Sequence, residues 1–194
     1  MVASIIQTDD ADNADMRTHI LQAVMTLTAT KSLDELSVKD ICDEAYVSRR
    51  TFYNYFTDKY DVVSWFFQST ERAHISAIGR TETWYDAIFF VAETVSKFQL
   101  FAQGINDSRK LVKQSSAIIW EEELIRTVTD YKKVPLTEEL RYQIGIWSRT
   151  ITEEVGIWKY GVLDDCSVAQ FSRILEDCVP RTLHDLLSVD SEGQ

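Results

Sequence analysis

Three signals for the start of a helix lie close together between residues 37 and 59. Ser37 is followed three residues later by Asp40, which resembles a capping box with Asp in place of the usual Glu. Ser48 can cap a second helix, and Asp58 can cap a third. Apolar residues return at helical spacing after each of these caps. The segment therefore predicts two short helices joined by a tight turn and followed directly by a third helix.

Two short helices around a tight turn are typical of a helix-turn-helix. In that motif the second helix enters the major groove of DNA and presents its N-terminal residues to the base edges. Here the second helix is predicted over residues 48–56, after a turn at Tyr46 and Val47. Its first turn carries Arg49 and Arg50, and a guanidinium can donate two hydrogen bonds to guanine O6 and N7.

Further side chains of the same segment suit contacts with DNA. Thr51 can offer a hydroxyl or a methyl group to a base, and Asn54 lies one helical turn after Arg50. The groups placed to meet phosphates are Tyr53, Tyr55, Lys59 and the free backbone amides of the helix that Ser37 opens.

The charge balance restricts where DNA can bind. The chain has 20 Lys and Arg against 31 Asp and Glu, a formal net charge of -11, which excludes a generic basic coat for nucleic acid. Residues 48–59 instead contain three cations and one anion. Any contact with DNA is therefore expected to be local to this segment.

The rest of the chain predicts more helices and no strand. Apolar residues recur at helical spacing throughout, most regularly from Leu140 to Trp158, and only 6 Gly and 2 Pro interrupt them. A first helix is expected from Met16, capped by Asn13 or Asp15, and Pro180 should kink or split the last helix. The expected fold is all-α with about nine helices.

The segment resembles the DNA-binding domain of the TetR family of bacterial transcriptional regulators. The resemblance covers residues 16 to about 67, and its motifs fall in family order. They are a Ser-Val-x-Asp-Ile start at 37–41, a Val-Ser-x-x-Thr-Phe-Tyr-x-Tyr-Phe run at 47–56, and Asp58 with Lys59. The DNA-contacting residues that the resemblance implies are Ser37, Ser48, Arg49, Arg50, Thr51, Tyr53, Asn54, Tyr55 and Lys59.

The resemblance also implies a domain order and a mode of action. Residues 1–14 are expected to be a flexible acidic tail, 15–60 the three-helix DNA-binding domain, and 61–190 a helical ligand-binding and dimerisation domain. The homodimer would form through residues 136–160 and 168–187. The implied function is a ligand-responsive regulator, a repressor that a small molecule releases from a palindromic operator in double-stranded DNA. The alternative is a co-regulator of the same fold that acts through a protein partner.

Aromatic residues outside the DNA-binding segment are candidates for the inducer pocket. They are Phe89, Phe90, Phe101, Trp120 and Tyr142. Each of them has the alternative role of filling the core.

Tyr46 departs from the family pattern, which commonly has Gly at this position of the turn. If the position requires a positive φ, a tyrosine there costs about 1 to 2 kcal/mol. The turn either adopts another conformation or Tyr46 packs against the core. We expect Tyr46→Gly to leave DNA binding intact and to be neutral or stabilising, unless Tyr46 is a packing residue.

Other functional classes find little support in the sequence. There is no glycine-rich phosphate loop, no GxSxG and no HExxH, so an enzyme is not expected. The three His and three Cys include no pair at helical ligand spacing, so neither a metal nor another cofactor is expected. The run of glutamates at 121–123 is expected to be a solvated helix face. The start of the chain lacks the features of a secretory signal, and no stretch approaches the ~20 apolar residues of a membrane span, which predicts a cytoplasmic protein.

Overall fold

The computed structural model describes residues 11–97, 109–158 and 166–189. Within these ranges the chain forms nine α-helices and no β-strand, which confirms the predicted all-α class. The helices are α1 (Ala11–Thr28), α2 (Val38–Glu44), α3 (Arg49–Tyr55), α4 (Lys59–Ile75), α5 (Trp84–Lys97), α6 (Arg109–Arg126), α7 (Glu138–Ile157), α8 (Val168–Asp177) and α9 (Arg181–Leu186). A π-helical turn, Thr127–Tyr131, follows α6. None of the helices in these ranges is long and apolar enough to cross a membrane.

The described residues form two compact units. The first contains the described residues up to Thr70 together with Lys97, Arg109 and Lys110, and the second contains Glu71–Ser96 and the described residues from Leu111 onward. In the first unit α1 packs against both α2 and α3. The fully buried side chains of this unit include Ile20, Leu21, Val24, Ile41, Phe52, Val62 and Val63. This core holds the two short helices in place.

The three predicted helix caps are confirmed. The Ser37 hydroxyl accepts a hydrogen bond from the Asp40 N–H at 3.1 Å, while the Asp40 carboxylate accepts one from the Ser37 N–H at 2.9 Å. The Ser48 hydroxyl accepts a hydrogen bond from the Thr51 N–H at 3.0 Å. At the start of α4, Asp58 accepts hydrogen bonds from two backbone amides, both at 2.8 Å. These bonds satisfy amide groups that the first turn of a helix leaves without partners.

The first helix begins earlier than the sequence predicts. α1 starts at Ala11, so Asn13 and Asp15 lie inside the helix and do not cap it. Residues 11–14, expected to belong to a flexible tail, are helical. The apolar periodicity begins only at Met16, and a polar first turn leaves no periodic signal in the sequence.

Three tryptophans form the centre of the second unit. Trp84 of α5, Trp120 of α6 and Trp147 of α7 are all at most 2% exposed. The rings of Trp84 and Trp147 meet edge to face, with centroids 6.1 Å apart. The core is completed by Phe171 and Leu175 of α8, by Leu183 of α9 and by Leu187, which caps the end of α9. Pro180 lies between these two helices, which confirms the predicted split of the last helix.

Two buried carboxylates in the second unit differ in their partners. Glu123 is fully buried and accepts hydrogen bonds from Arg72 and, at 3.2 Å, from Arg126. Glu71 is also buried, and its Oε1 accepts a hydrogen bond from the Ser116 hydroxyl at 3.0 Å. Its Oε2 has no hydrogen-bond partner among the described residues. Burial raises the pKa of Glu71 to about 7, because the charged form loses its hydration, and the bond from Ser116 opposes this only in part.

The burial of Glu123 corrects the predicted solvated face at 121–123. Glu122 is exposed and Glu121 is half-buried, whereas the Glu123 side chain is fully covered. Arg72 of α4 reaches across to Glu122 at 3.6 Å and also pairs with Glu123. A run of like charges along one helix does not reveal such a partner on another helix.

The pKa of Glu71 predicts a pH-dependent stability. The unfolded chain releases this proton near pH 4.5 and the folded chain near pH 7, so the free energy of unfolding should fall as pH rises between these values. The Glu71→Gln variant removes the ionisation and should be more stable than the wild type at pH 8 by about 3 kcal/mol. At pH 5 the difference should shrink to less than about 1 kcal/mol. Urea unfolding at both pH values measures this difference.

Glu139→Gln, a change of an exposed carboxylate in α7, serves as the matched control and should show no such pH-dependent gain. A wild type that is as stable as Glu71→Gln at pH 8 would contradict the raised pKa.

Candidate nucleic-acid interface

The orientation of α3 is set by two phenylalanines on its inner face. Phe52 is fully buried and Phe56, which caps the helix, is 2% exposed. The Phe56 ring contacts Trp65 of α4 with a centroid distance of 5.9 Å. Because these positions are four residues apart, burying both leaves the opposite face of α3 in solvent.

The outer face of α3 carries most of the predicted DNA-contacting residues. Ser48, Arg49, Arg50, Tyr53 and Asn54 are exposed. Neither guanidinium group makes a hydrogen bond or ion pair with another described residue. Both guanidinium groups lie in the first turn of the helix, and their donors are available to an external acceptor.

Two other predicted contacts on this helix are half-buried. The Thr51 hydroxyl lies 2.8 Å from the Ser48 hydroxyl, so it takes part in the cap. Tyr55 is half-buried as well. The assignment of α3 residues to base contacts and phosphate contacts remains a prediction.

Ser37 is exposed, but its donors are engaged within the protein. Its N–H donates to the Asp40 carboxylate at 2.9 Å and its hydroxyl donates to the same oxygen at 2.6 Å. These two bonds lower the pKa of the Asp40 carboxyl, the hydroxyl being the larger cause. In this geometry Ser37 organises the start of α2. The backbone amides of the first turn that Ser37 does not bind point out of the N-terminal end of the helix.

Lys59 has a structural role that the sequence does not reveal. Its Nζ donates to the backbone carbonyls of Asp34 and Leu36, at 2.8 and 2.7 Å. The ammonium thereby ties the start of α4 to the loop before α2. A Lys has three donors, so one remains for the predicted phosphate contact.

Two residues of α1 support the interface and carry no motif that would mark them. His19 Nε2 lies 2.7 Å from the carbonyl oxygen of Ala45, the residue that ends α2. The Arg17 guanidinium lies over the rings of Phe56 and Trp65, at 5.5 and 5.7 Å from their centroids. Both contacts join distant parts of the chain, so spacing within a motif could not indicate them.

The turn between α2 and α3 is strained at Tyr46. Its φ is 52°, in the left-handed region that glycine adopts freely. The side chain is 95% exposed, so the ring does not pack against the core. The backbone around it is held by a hydrogen bond from the Val47 N–H to the Cys42 carbonyl at 3.0 Å. The turn therefore has the positive φ that a glycine would favour, and the alternatives of another conformation and of a packed Tyr46 are both wrong.

The predicted pocket residues occupy different environments in the second unit. Trp120 is in the core, whereas Phe89 is half-buried and Phe90 is 42% exposed and stacked on His74. Tyr142 is 70% exposed and borders a cleft of about 430 Å³ beside α7. Phe101 lies outside the described residues. Their assignment to one inducer pocket remains a prediction.

A capped pair of short helices, with an unpaired cationic face on the second, defines a helix-turn-helix DNA-binding protein. Residues 20–64 match the model of the family described as bacterial regulatory proteins, tetR family. Residues 20–64 therefore form a DNA-binding domain of the TetR family of transcriptional regulators.

Individual proteins share only part of the sequence, or only the fold, with this chain. The HTH-type dhaKLM operon transcriptional activator DhaS of Lactococcus lactis subsp. lactis (strain IL1403) is 27% identical over 114 residues, which cover 59% of this chain. The match spans 61% of the length of that relative. The TetR family repressor AlkX from Dietzia sp. strain DQ12-45-1b has a similar fold, with a TM-score of 0.59, 15% identity, and coverage of 89% of this chain and 97% of AlkX. A dihydroxyacetone kinase operon activator DhaS gives a TM-score of 0.51 at 20% identity, covering 84% of this chain and 96% of that protein.

The strain at Tyr46 predicts a stabilising substitution. Tyr46→Gly should raise the free energy of unfolding by about 1 kcal/mol, because it removes the left-handed penalty and no packing is lost. Tyr46→Ala keeps a Cβ in the strained conformation and should be nearly as stable as the wild type. Thermal and chemical unfolding of the three proteins measure both effects. A loss of stability in Tyr46→Ala would show that the tyrosine ring contributes packing.

Proposed function

We propose that this protein is a ligand-responsive transcriptional repressor that binds a palindromic operator as a homodimer and is released from it by a small molecule. The observation that carries the proposal is the pair of exposed, unpaired guanidinium groups of Arg49 and Arg50. They lie in the first turn of α3, the part of a recognition helix that faces base edges in the major groove.

The residues that hold α3 in place favour direct contact with DNA. Phe52 and Phe56 prevent α3 from rotating, and Lys59 fixes the start of α4 beside the loop that precedes α2. Base readout requires side chains held in one register, since an arginine discriminates by two parallel hydrogen bonds to guanine. A helix anchored in this way meets that requirement.

Selection of bound sequences from random duplex DNA at two salt concentrations tests the proposal, and an enriched palindrome whose affinity falls with salt is expected. Arg50→Ala should then cost about 1 to 3 kcal/mol on the selected site and relax the preference at one base pair. Lys59→Ala should weaken binding to all sequences alike. Lys133→Ala, a change of an exposed cation in the second unit, is the control and should bind as the wild type.

If Arg50→Ala lowers the affinity for all DNA sequences equally, Arg50 contacts the phosphate backbone and not a base. If the wild type enriches no sequence at either salt concentration, direct DNA binding is ruled out and the co-regulator becomes the better explanation.

The homodimer is proposed to form through residues 136–160 and 168–187. Exposed apolar side chains on the helices of these segments support this assignment: Tyr142 is 70% exposed, Ile146 56% and Ile174 53%. Large apolar groups at the centre of a surface favour an interface over solvent. Two recognition helices in a dimer can reach half-sites one helical turn of DNA apart.

The cleft beside α7 adds charge complementarity to this surface. Its lining residues are Glu121, Glu138, Arg141, Tyr142, Gly145 and Arg149. Two carboxylates and two guanidinium groups on one surface can pair reciprocally when a second copy approaches along a two-fold axis. Gly145 keeps the cleft open, because a Cβ there would lie 3.2 Å from the Arg149 guanidinium.

Ile146→Glu should therefore raise the dimer dissociation constant at least about 10-fold, because it places an unpaired charge in an apolar contact. Val189→Glu is a matched control, since Val189 is 36% exposed and lies outside the segments of the proposed interface. Analytical ultracentrifugation over a range of concentrations measures the dissociation constants. Equal effects of the two substitutions would place the interface elsewhere.

The response to a small molecule is proposed to be a shift between two dimer conformations. A ligand that binds better to a dimer whose recognition helices are wrongly spaced for the operator releases the DNA. Buried polar atoms of the second unit that lack hydrogen-bond partners among the described residues support an internal ligand. They belong to Glu71, Arg80, Trp84, Gln143, Trp147 and Ser148.

The second candidate is a co-regulator of the same fold that works through a protein partner. The formal net charge of -11 favours it, and the exposed ring of Tyr46 is accessible to a protein partner as well as to DNA. The L. lactis relative is described as an activator, so a promoter-reporter assay that compares expression with and without the protein should also determine the direction of regulation.

A further inference from the structure

We propose that Tyr46 is a DNA-contacting residue whose phenolic hydroxyl donates a hydrogen bond to a backbone phosphate beside each half-site of the operator. This inference rests on the proposed function and extends it to a residue outside the recognition helix. It also replaces the expectation, drawn from the sequence alone, that Tyr46→Gly leaves DNA binding intact.

Tyr46 contributes nothing visible to the fold. Its side chain is 95% exposed, and its hydroxyl has no hydrogen-bond partner within the described part of the chain. Its φ of 52° is unfavourable for any residue with a Cβ, and glycine would relieve this strain. A large aromatic side chain held in a strained and solvated position indicates a role in binding.

The position of Tyr46 favours DNA over another partner. It precedes the Ser48 cap by two residues, so its Cα lies within about 8 Å of the cap and close to the unpaired Arg49 and Arg50. The N-terminal end of a recognition helix is the part that approaches the major groove, and phosphates line the edges of that groove. Tyrosine hydroxyls are among the groups that commonly donate to phosphate oxygens.

The backbone on either side of Tyr46 is held by hydrogen bonds, which fix the direction of the Cα–Cβ bond from which the ring extends. The Ala45 carbonyl accepts from His19 Nε2 at 2.7 Å, and the Ala45 N–H donates to the Ile41 carbonyl at 2.9 Å. After the turn, the Val47 N–H donates to the Cys42 carbonyl at 3.0 Å. The phenol therefore needs little further ordering of the main chain when DNA binds.

The chemistry of a phenol gives the contact a distinctive signature. A neutral hydroxyl releases no condensed counterion when it meets a phosphate, whereas an arginine or lysine releases about one. Tyr46→Phe should therefore weaken operator binding by about 3- to 10-fold with no change in the slope of log affinity against log salt. Arg50→Ala should lower affinity and, if it also touches phosphate, flatten that slope.

The experiment measures operator dissociation constants at four salt concentrations for the wild type, Tyr46→Phe, Tyr46→Gly and the control Tyr131→Phe. Tyr131 is a half-exposed tyrosine of the second unit. The operator is the sequence enriched by the wild type. Tyr46→Gly should bind as weakly as Tyr46→Phe although it is the more stable protein, and Tyr131→Phe should bind as the wild type.

A second measurement identifies the phosphate. A series of operators is prepared, each with one neutral methylphosphonate at a different position flanking a half-site. The dissociation constant of each operator is measured for the wild type and for Tyr46→Phe. At the contacted phosphate the modification should weaken the wild type more than Tyr46→Phe, because both proteins lose the attraction of the charge but only the wild type also loses the hydrogen bond.

The outcomes separate this proposal from the proposed function. Normal binding by Tyr46→Phe overturns the phosphate contact, and so does a loss seen only in Tyr46→Gly, which would indicate that the ring packs on a sugar. Tyr46 variants that bind DNA normally but fail to regulate a promoter in a purified transcription reaction would assign the side chain to a protein partner. Failure of the wild type to enrich any sequence refutes the proposed function itself.

Discussion

The burial of Phe52 and Phe56 is the interaction on which the DNA-binding surface depends. A helix of seven residues is too short to be stable in isolation, so its orientation comes from the side chains that it buries. Full burial of a phenylalanine contributes roughly 1.5 to 3 kcal/mol, and two such residues one turn apart define the inner face. The exposed arginines then point outward as a geometric consequence. Contacts of Phe56 with Arg17 and Trp65 extend this anchoring to α1 and α4.

The sequence predicts this region well because its signals are local. A cap and the amide that it accepts from lie within four residues, so the starts of α2, α3 and α4 could be identified from spacing alone. The supporting contacts are of another kind. Lys59 meets the Asp34 carbonyl across 25 positions of sequence, and His19 meets the Ala45 carbonyl across 26. Such pairs are created by the packing of helices, which the spacing within a motif does not contain.

In the second unit, too, local patterns in the sequence do not reveal which charged residues are buried. Apolar periodicity identified its helices, yet it gave no indication that Glu71 and Glu123 are buried. A carboxylate becomes buried when another helix covers it, and the covering helix is not encoded in the local pattern. The two residues then differ because Glu123 meets arginines on two helices, whereas the carboxyl of Glu71 accepts one hydrogen bond among the described residues, from a serine hydroxyl. A buried carboxylate without a counter-charge is costly, and its proton is retained to higher pH as a result.

The distribution of charge explains how an acidic chain can still be selective for DNA. In the first unit Lys39 pairs with Asp43 on α2 at 2.6 Å, whereas the guanidinium groups of Arg49 and Arg50 on α3 have no ion pair with a described residue and can meet an external anion. At physiological ionic strength the Debye length is about 8 Å, and acidic groups farther away than this are largely screened from a bound phosphate. The net charge of -11 therefore opposes loose, non-specific association more than it opposes close contact through Arg49 and Arg50. Under these conditions the specificity for one DNA sequence depends on contacts made at short range. A neutral donor such as the Tyr46 hydroxyl strengthens binding through such a contact. It does not add to the salt-dependent attraction that all DNA sequences share.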